Sequence, residues 1–244
     1  MTDTEELDIT RYTRMHWNTP LSVDHAGLLL DRLDLGPGTR IADLGCGWGE
    51  LLLTAVTQAG EGATGTGVDS DEPLLEHGRR EAARRGLDVT FTEGDAAAWA
   101  EAAQRVLCIG ASHAFGDTDG ALRALVDVVE PGGRLLFGDG FWAQQPDARA
   151  QEMFPEILHD LPGLVAASRA AGWGVIHCST ADLREWDDFE ATHRAGRQEW
   201  LLANGTHPRA AGIRDWLEMR EREYFGVYRG VLGFAYLVLA RPLA

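Results

Sequence analysis

The chain has 244 residues, of which 45% are hydrophobic and 25% are charged, so it is long enough to bury a sizeable core. Its 22 basic and 38 acidic residues give a net charge of −16, which disfavours binding to nucleic acid or to an anionic membrane surface, because both need a positively charged face. All the basic residues are arginine, so lysine-dependent chemistry such as a pyridoxal phosphate Schiff base is excluded.

From residue 40 onward, short apolar strands alternate with helical stretches, a pattern typical of a parallel sheet with helices on both faces. Strands are predicted at residues 41–44, 64–69, 89–93, 105–110 and 134–141. Helices are predicted after the first two of these strands and at residues 118–129. Pro131-Gly132-Gly133 predicts a turn before the fifth strand.

Past residue 142 the pattern changes. Residues 143–165 predict a loop with a short helix, residues 173–179 and 231–239 predict strands, and apolar residues at helical spacing lie between them. The chain as a whole predicts seven strands and about six helices in one α/β domain. Its fold class is a doubly wound, Rossmann-like, mostly parallel sheet.

The first strand runs into a glycine-rich loop that opens a helix, Gly45-Cys46-Gly47-Trp48-Gly49. Glycines at such a turn let the backbone approach a ligand closely. The dinucleotide-binding fingerprint requires glycine or alanine at its sixth position, which here is Glu50. A carboxylate at that position repels the negative charge of a pyrophosphate, whereas it is compatible with the positive charge of a sulfonium. The loop therefore favours a cationic nucleoside cofactor over a nicotinamide dinucleotide.

Two acidic motifs follow the next two strands. Asp69-Ser70 ends the second strand, and Gly94-Asp95 follows the third. Together with the glycine loop they resemble the class I S-adenosylmethionine (SAM)-dependent methyltransferases, over about residues 36–142. The ends resemble more loosely the small-molecule enzymes of the methyltransferase-11 type. The resemblance implies SAM as cofactor, S-adenosylhomocysteine (SAH) as product and an antiparallel last strand.

The resemblance also implies a cofactor site. In the family, the glycine loop cradles the methionine end of the cofactor, the acid ending the second strand binds the ribose hydroxyls, and the residues after the third strand bind the adenine. Carried onto this sequence, the cofactor-binding residues are Asp43, Gly45, Cys46, Gly47, Gly49, Asp69, Ser70, Asp95, Ala96 and Gly110. Structural alternatives stay open, because Asp69 and Asp95 are also residues that cap helices and glycines also form ordinary turns.

The resemblance further divides the single domain into four parts. These are an N-terminal helical lid (1–35), a SAM-binding core (36–142), a substrate-cover insertion with a helix (143–172), and C-terminal strands and helices (173–244). Candidate substrate-binding residues in the lid and at strand ends are Tyr12, His16, Trp17, Phe115 and Trp142. Aromatic side chains stack on flat or apolar substrates, although packing in the core or the lid is the alternative for each of them.

His113 is the candidate catalytic base, because it follows the fourth strand at the edge where open α/β sheets bind ligands. An imidazole is suited to removing a proton near neutral pH. The alternative is a histidine that merely lines the pocket. His25 and His193 are expected to be structural, and Asp139 is a candidate metal ligand or substrate-facing carboxylate. No metal site is predicted, because no histidines and carboxylates share a ligand spacing, and the three cysteines lie far apart.

The predicted function is SAM-dependent methyl transfer to a small organic acceptor through an oxygen, nitrogen, carbon or sulfur atom. A protein that binds SAM or SAH without turnover is the alternative. We expect no nucleic-acid or membrane partner, and a homodimer is compatible with the sequence.

The acidic N-terminus does not resemble a signal peptide, and the longest apolar run, residues 231–240, is too short to span a bilayer. The chain is therefore expected to be cytoplasmic. Its alanine- and glycine-rich composition suggests bacterial secondary metabolism.

Overall fold

The computed structural model describes residue 12 and residues 14–243. Seven strands form one sheet in the order β3-β2-β1-β4-β5-β7-β6. Their bounds are β1 Arg40–Leu44, β2 Thr64–Asp69, β3 Val89–Glu93, β4 Ala103–Ile109, β5 Val129–Trp142, β6 Gly174–Thr180 and β7 Leu232–Ala240. Strand β7 pairs antiparallel with both of its neighbours, β5 and β6, whereas β1, β2, β3, β4 and β5 pair in parallel. The predicted fold class is confirmed.

The described residues also contain eight α-helices, rather than the six that the sequence predicts. They are α1 Val23–Arg32, α2 Glu50–Ala59, α3 Glu72–Arg85, α4 Thr118–Val128, α5 Ala148–Met153, α6 Leu161–Ala170, α7 Leu183–Ala203 and α8 Ala210–Glu223. Short 3₁₀ turns cover Ala96–Ala98 and Ser112–Phe115, and a π-helix, Tyr224–Tyr228, continues α8. Within this part of the chain, no helix combines the length and apolar character needed to cross a bilayer.

The core lies on both faces of the sheet, because successive strand residues point to opposite sides. Leu135 and Phe137 of β5 belong to the buried cluster that includes residues of α4 and α6. Leu136, between them, belongs to the opposite cluster, which includes residues of α1, α2 and α3. Both faces are therefore sealed from water, and the edges formed by the strand ends are where a ligand can reach the sheet.

The strand order reverses beside β1. The chain first moves outward from β1 through β2 to β3, and then returns to place β4 on the other side of β1. Asp43 of β1 pairs with Gly67 of β2 and with Leu107 of β4, so the carboxyl ends of these strands meet. The loops leaving β1 and β4 therefore diverge to opposite sides and open a crevice between them.

Strand β5 begins earlier than predicted. It includes the Pro-Gly-Gly sequence at 131–133, where Gly132 has φ +77°, and its pairing with β4 shifts register between Ala103 and Arg105. Residues 131–133 therefore form an irregularity inside β5. They interrupt the hydrogen bonds between β4 and β5 but do not end the strand.

The segment 143–172 contains the helices α5 and α6, and its second half packs on the sheet. Helix α6 packs against β5 and β6, and its Leu164 is fully buried in the core. Ile157, before that helix, packs on Gly140 of β5, where an added Cβ would lie 2.4 Å from its Cδ1 atom. The later half of this segment is therefore an integral layer of the sheet domain.

Candidate functional site

A cavity of about 500 Å³ lies at the carboxyl ends of β1, β2 and β4. Most of the residues that the sequence predicts for the site line it: Tyr12, Trp17, Asp43, Gly45, Cys46, Gly47, Asp69, Ser70, Asp95, Ala96, Gly110 and His113. Four predicted residues do not line this cavity: His16, Gly49, Phe115 and Trp142. Asn18, Thr19, Trp48 and Ile109 also line it, although the sequence analysis did not select them.

The glycine loop is held against β2 and β4 by its backbone. The N–H groups of Gly45 and Cys46 both donate to the carbonyl oxygen of Val68, at 2.8 and 3.1 Å. Gly45 has φ +79°, and a Cβ added to it would lie 2.3 Å from the Cβ of Ala111. A side chain is therefore excluded at Gly45 both by conformation and by the neighbouring loop.

The other two glycines of the loop differ in what they face. Gly47 has φ +55° and nothing within 4 Å of an added Cβ, so its backbone borders open cavity. Gly49 has φ +72°, and an added Cβ would lie 2.3 Å from Cε1 of Phe91. Gly49 therefore allows close packing between α2 and β3 and does not border the cavity. This geometry favours a packing role for Gly49 over the direct cofactor contact that the resemblance implies.

Asp69 connects the second strand to the glycine loop. Its Oδ2 atom accepts the N–H of Gly47 at 2.7 Å, and its Oδ1 atom accepts the N–H of Asp71 at 3.0 Å. The N-cap of α3 is Asp71, whose side chain accepts the N–H of Leu74 at 3.3 Å. The helix-cap alternative for Asp69 is therefore wrong, since that role belongs to Asp71.

Asp95 combines the two roles that the sequence left open. Its side chain accepts the N–H of Ala97 at 2.9 Å and so caps the turn Ala96–Ala98. The same residue lines the cavity beside Ala96. The N–H of Gly94 donates to the carbonyl oxygen of Asp69 at 2.9 Å, which holds the two acidic strand ends next to each other.

Asp43 is the most deeply buried acid in the cavity wall, with 5% of its surface exposed. Burial raises the pKa of its carboxyl group to about 8, and repulsion from Asp69 adds to the increase. A positive charge placed in the cavity would oppose both effects and favour the ionised form. The site is therefore complementary to a cationic group, as the ammonium and sulfonium of SAM would require.

Glu50 forms an ion pair that is not predicted from the sequence. Arg85 of α3 donates to its two carboxylate oxygens at 2.8 and 2.6 Å. This pair joins α2 to α3 behind the glycine loop. The negative charge of Glu50 is thus compensated within the protein, which weakens the repulsion of a pyrophosphate that the sequence alone suggested.

Cys46 also lines the cavity, between the two aspartates. Burial raises the pKa of its thiol, and the nearby charges of Asp43 and Asp69 raise it further. The thiol therefore stays protonated at neutral pH and is a poor nucleophile.

The segment 14–19 approaches the cavity, and its residues 17–19 form one wall together with Tyr12. The indole N–H of Trp48 donates to the carbonyl oxygen of His16 at 2.8 Å, and the rings of Tyr12 and Trp48 lie 5.2 Å apart. This contact fixes the segment on the glycine loop. Of the predicted lid, residues 1–35, residues 1–11 and 13 lie outside the described residues.

His113 lies in the 3₁₀ turn after β4, where its exposed side chain faces the cavity. The turn is anchored by Asp139 of β5, which is 6% exposed. Asp139 accepts the hydroxyl of Thr118 at 2.6 Å and the N–H of Gly140 at 2.9 Å, and it also bonds Ser112. Burial raises the pKa of Asp139 despite these bonds.

Asp139 is therefore a buried anchor and not a substrate-facing group, so that expectation is wrong. It lines neither cavity described for this chain. Nor is it a metal ligand, because the described residues contain no cluster of three or more histidine, cysteine, aspartate or glutamate side chains placed to hold a metal ion.

The two aromatic residues predicted at strand ends pack into the protein interior. Phe115 packs against the buried cluster on the α4 side of the sheet. Trp142 packs in a third apolar cluster, and its indole N–H donates to the carbonyl oxygen of Ile157 at 3.0 Å. The core-packing alternative applies to both residues.

A second cavity of about 940 Å³ adjoins the first and shares Trp17 and Thr19 with it. It lies between α1, the end of β6 and the start of α7, and the side chain of His16 belongs to it. No residue of the segment 143–172, all of which is described, lines either cavity. One feature near this cavity has a local sequence signature, since Asp182 and Glu185 form a capping box at the start of α7.

Comparison with known proteins adds to this geometry. Residues 41–133 match the family described as methyltransferase domain. The Escherichia coli K12 protein YjhP is 34% identical over 216 residues, which are 85% of this chain and 86% of YjhP. The X-ray structure of YjhP covers 96% of this chain and 98% of its own length, with a TM-score of 0.82.

Two further relatives have names that state an activity. A SAM-dependent methyltransferase of Geobacter sulfurreducens, solved with SAH, has a TM-score of 0.85 and 29% identity, and the match covers 96% of this chain and 97% of that one. The ubiquinone biosynthesis O-methyltransferase of Pseudomonas entomophila is 27% identical over 208 residues, covering 80% of this chain and 84% of that enzyme.

Proposed function

Because the chain belongs to the class I SAM-dependent methyltransferases, we propose that it methylates a small organic molecule bound beside His113, with SAM held in the cavity at the ends of β1, β2 and β4. The observation that carries this proposal is the buried carboxyl group of Asp43 between the glycine loop and Asp69. When bound, SAM supplies a methyl group made electrophilic by its sulfonium sulfur.

Asp43 binds the ammonium of the methionine end, since a buried carboxylate with a raised pKa gains most from a cationic partner. The backbone of Gly45 and Gly47 lies against the same end of the cofactor, where Gly47 leaves open space. This pairing satisfies a charge that would otherwise be costly to bury.

Asp69 binds the ribose hydroxyls. A carboxylate has about four lone-pair sites, and two of those of Asp69 are taken by the N–H groups of Gly47 and Asp71. Those two bonds fix the orientation of the carboxylate and leave acceptor sites for two hydroxyl groups. Ser70, Asp95 and Ala96, which line the cavity next to it, form the adenine end of the site.

His113 removes a proton from the acceptor when the acceptor carries one at the working pH. Its position on the anchored turn Ser112–Phe115 supports this role, because a base must be held within hydrogen-bonding distance of its substrate. An acceptor that is already nucleophilic needs only positioning and the exclusion of water.

A small organic acceptor is supported by the charge and by the relatives. A net charge of −16 opposes nucleic acid as the acceptor. The names of two relatives, the ubiquinone biosynthesis enzyme and a nocamycin O-methyltransferase of Saccharothrix syringae, describe methylation of an oxygen on a small molecule. An oxygen acceptor is accordingly the first class to test, and the indole of Trp17 in the cavity wall suits a flat or apolar one.

Isothermal titration with SAH tests the cofactor site. We expect saturable binding that Asp69→Ala weakens and that Asp88→Ala leaves unchanged, since Asp88 is exposed and outside the cavity. At a hundredfold excess over the dissociation constant, SAH should stabilise the native state by about 2.7 kcal/mol, which a thermal melt can detect. A folded protein that binds neither SAH nor SAM would contradict the proposal. Labelled SAM with a panel of hydroxylated small molecules then identifies the acceptor.

A further inference from the structure

The second cavity contains a group of side chains that the methyltransferase site does not use. His25 of α1, Ser179 of β6 and Glu185 of α7 all line it, and none of them lines the cofactor cavity. They come from three separate elements, and Ser179 and Glu185 lie 154 and 160 positions after His25 in the sequence. Their meeting is therefore a product of the tertiary fold.

These three side chains form a continuous hydrogen-bonded chain. The hydroxyl of Ser179 lies 2.7 Å from Nε2 of His25. The other ring nitrogen, Nδ1, lies 3.0 and 3.2 Å from the two carboxylate oxygens of Glu185. The order hydroxyl, imidazole, carboxylate is the arrangement in which a base activates a nucleophile while an acid orients the base.

Glu185 is held firmly in its position. The N–H and the hydroxyl of Ser22 both donate to Oε1, at 2.9 and 2.7 Å, and the N–H of Asp182 donates to Oε2 at 3.1 Å. Burial by itself raises the pKa of Glu185, but the hydrogen bonds from His25, Ser22 and Asp182 outweigh it and lower the pKa to about 2. Glu185 is therefore ionised at neutral pH.

The charge of Glu185 determines the tautomer of His25. An ionised carboxylate only accepts hydrogen bonds, so the neutral imidazole must carry its proton on Nδ1. Its Nε2 atom then offers a lone pair, and the hydroxyl of Ser179 donates to it. This tautomer of the neutral imidazole is the one that a serine nucleophile needs before it attacks.

We propose that Ser179, His25 and Glu185 form a nucleophile–base–acid triad that hydrolyses small esters entering the second cavity. The cavity walls narrow the class of ester. Its acidic residues, Asp24, Asp182, Glu185, Asp187 and Asp188, outnumber its arginines, Arg14 and Arg184, so an acyl group that carries a negative charge is disfavoured. The apolar side chains of Leu28 and Phe189 line the same space and suit an uncharged acyl chain.

The reaction balances with water as the only co-reactant. A bond forms between Oγ of Ser179 and the ester carbonyl carbon while the hydroxyl proton passes to Nε2 of His25. The carbon–oxygen bond to the alcohol then breaks, and the alcohol leaves with that proton. Water next gives a proton to His25 and attacks the acyl–serine ester, which releases the carboxylic acid and restores the hydroxyl of Ser179.

The test treats the full chain with an uncharged fluorophosphonate, which labels activated serines, and with p-nitrophenyl acetate. We expect one adduct, located on Ser179 by peptide mass spectrometry, and ester hydrolysis that is lost in Ser179→Ala. Glu185→Gln should slow labelling by about 10²- to 10⁴-fold, because an amide donates to Nδ1 and forces the wrong tautomer of His25. Thr192→Ala is the matched control, since its hydroxyl lines the same cavity and donates to the carbonyl oxygen of Asp188.

A purely structural role for the three residues gives a different result. Wild-type protein that unfolds cooperatively on heating but carries no label on Ser179 would overturn the proposal, as would a labelling rate unaffected by Glu185→Gln. If Glu185→Gln does not fold, Ser179→Cys provides the second measurement, because a thiol activated by His25 should react more slowly with iodoacetamide when His25→Ala is added to it. None of these readouts depends on SAM or on methyl transfer.

Discussion

The backbone N–H of Gly47 donates to Oδ2 of Asp69 across 2.7 Å, so the loop after β1 is tied directly to the acid that ends β2. The bond spans 22 residues of sequence. It holds two parts of the cofactor site in a fixed relation before any ligand arrives, and preorganisation of this kind reduces the entropy lost on binding.

Asp69→Asn should weaken SAH binding by about 10- to 100-fold, because hydrogen bonds to a charged acceptor contribute about 1.5–3 kcal/mol. The amide also turns one acceptor oxygen into a donor, which opposes either the N–H of Gly47 or that of Asp71. Titration calorimetry measures the change. Asp88→Asn is the control, and equal affinity in Asp69→Asn and wild type would remove Asp69 from the ribose site.

Asp43 should make the stability of the ligand-free protein depend on pH. Its pKa is about 8 in the folded chain against an ordinary value of 3.8, so the folded state holds an extra proton between these values. The stabilisation by the protonated form is complete below about pH 4 and is lost as pH rises through 8, by up to about 1.4 kcal/mol per pH unit. Denaturant titrations from pH 5 to 8 measure this slope, which Asp43→Asn should reduce.

Asp43 should also release a proton when SAH binds. If Asp43 pairs with the ammonium of the cofactor, it must ionise when SAH binds at neutral pH and release up to one proton. Calorimetry in two buffers of different ionisation enthalpy counts this proton. An identical proton count in wild type and Asp43→Asn would show that the ammonium binds elsewhere.

Gly45→Ala and Gly47→Ala should separate packing from ligand contact. Both glycines have positive φ, so each alanine carries about 1–2 kcal/mol of backbone strain. Only the Gly45 variant also places a methyl group 2.3 Å from the Cβ of Ala111. We expect Gly45→Ala to have the lower melting temperature. Gly47→Ala should stay folded and bind SAH more weakly, and the opposite order of stabilities would contradict these placements.

His113→Ala should lower kcat by about 10²- to 10⁴-fold for an acceptor that must lose a proton, because general-base catalysis contributes that much. SAH affinity should stay near wild type, since the residues proposed to bind the cofactor, Asp43, Asp69 and Asp95, follow other strands. Steady-state kinetics with labelled SAM measure the effect once an acceptor is known. An unchanged kcat for such an acceptor would leave His113 with a lining role only.

The fold class and most residues of the proposed cofactor site could be predicted from sequence patterns. Parallel strands place their carboxyl ends along one edge, so Asp43, Asp69 and Asp95 had to meet once their strands were recognised. The glycine pattern likewise identified the loop, because its left-handed backbone conformations favour residues without a Cβ. These features depend on local periodicity and on strand order, which a single sequence carries.

The directions in which the side chains at the strand ends point depend on tertiary packing and could not be predicted from those patterns. Asp139 and Trp142 lie near the end of β5 as predicted, yet Asp139 is buried and bonds Thr118 of α4, and the half-buried Trp142 bonds the backbone of Ile157. The pairing of Glu50 with Arg85 and the meeting of His25, Ser179 and Glu185 also depend on how distant helices dock. Local sequence patterns determine the helices and strands, but contacts between side chains far apart in the chain are set by packing of the whole domain.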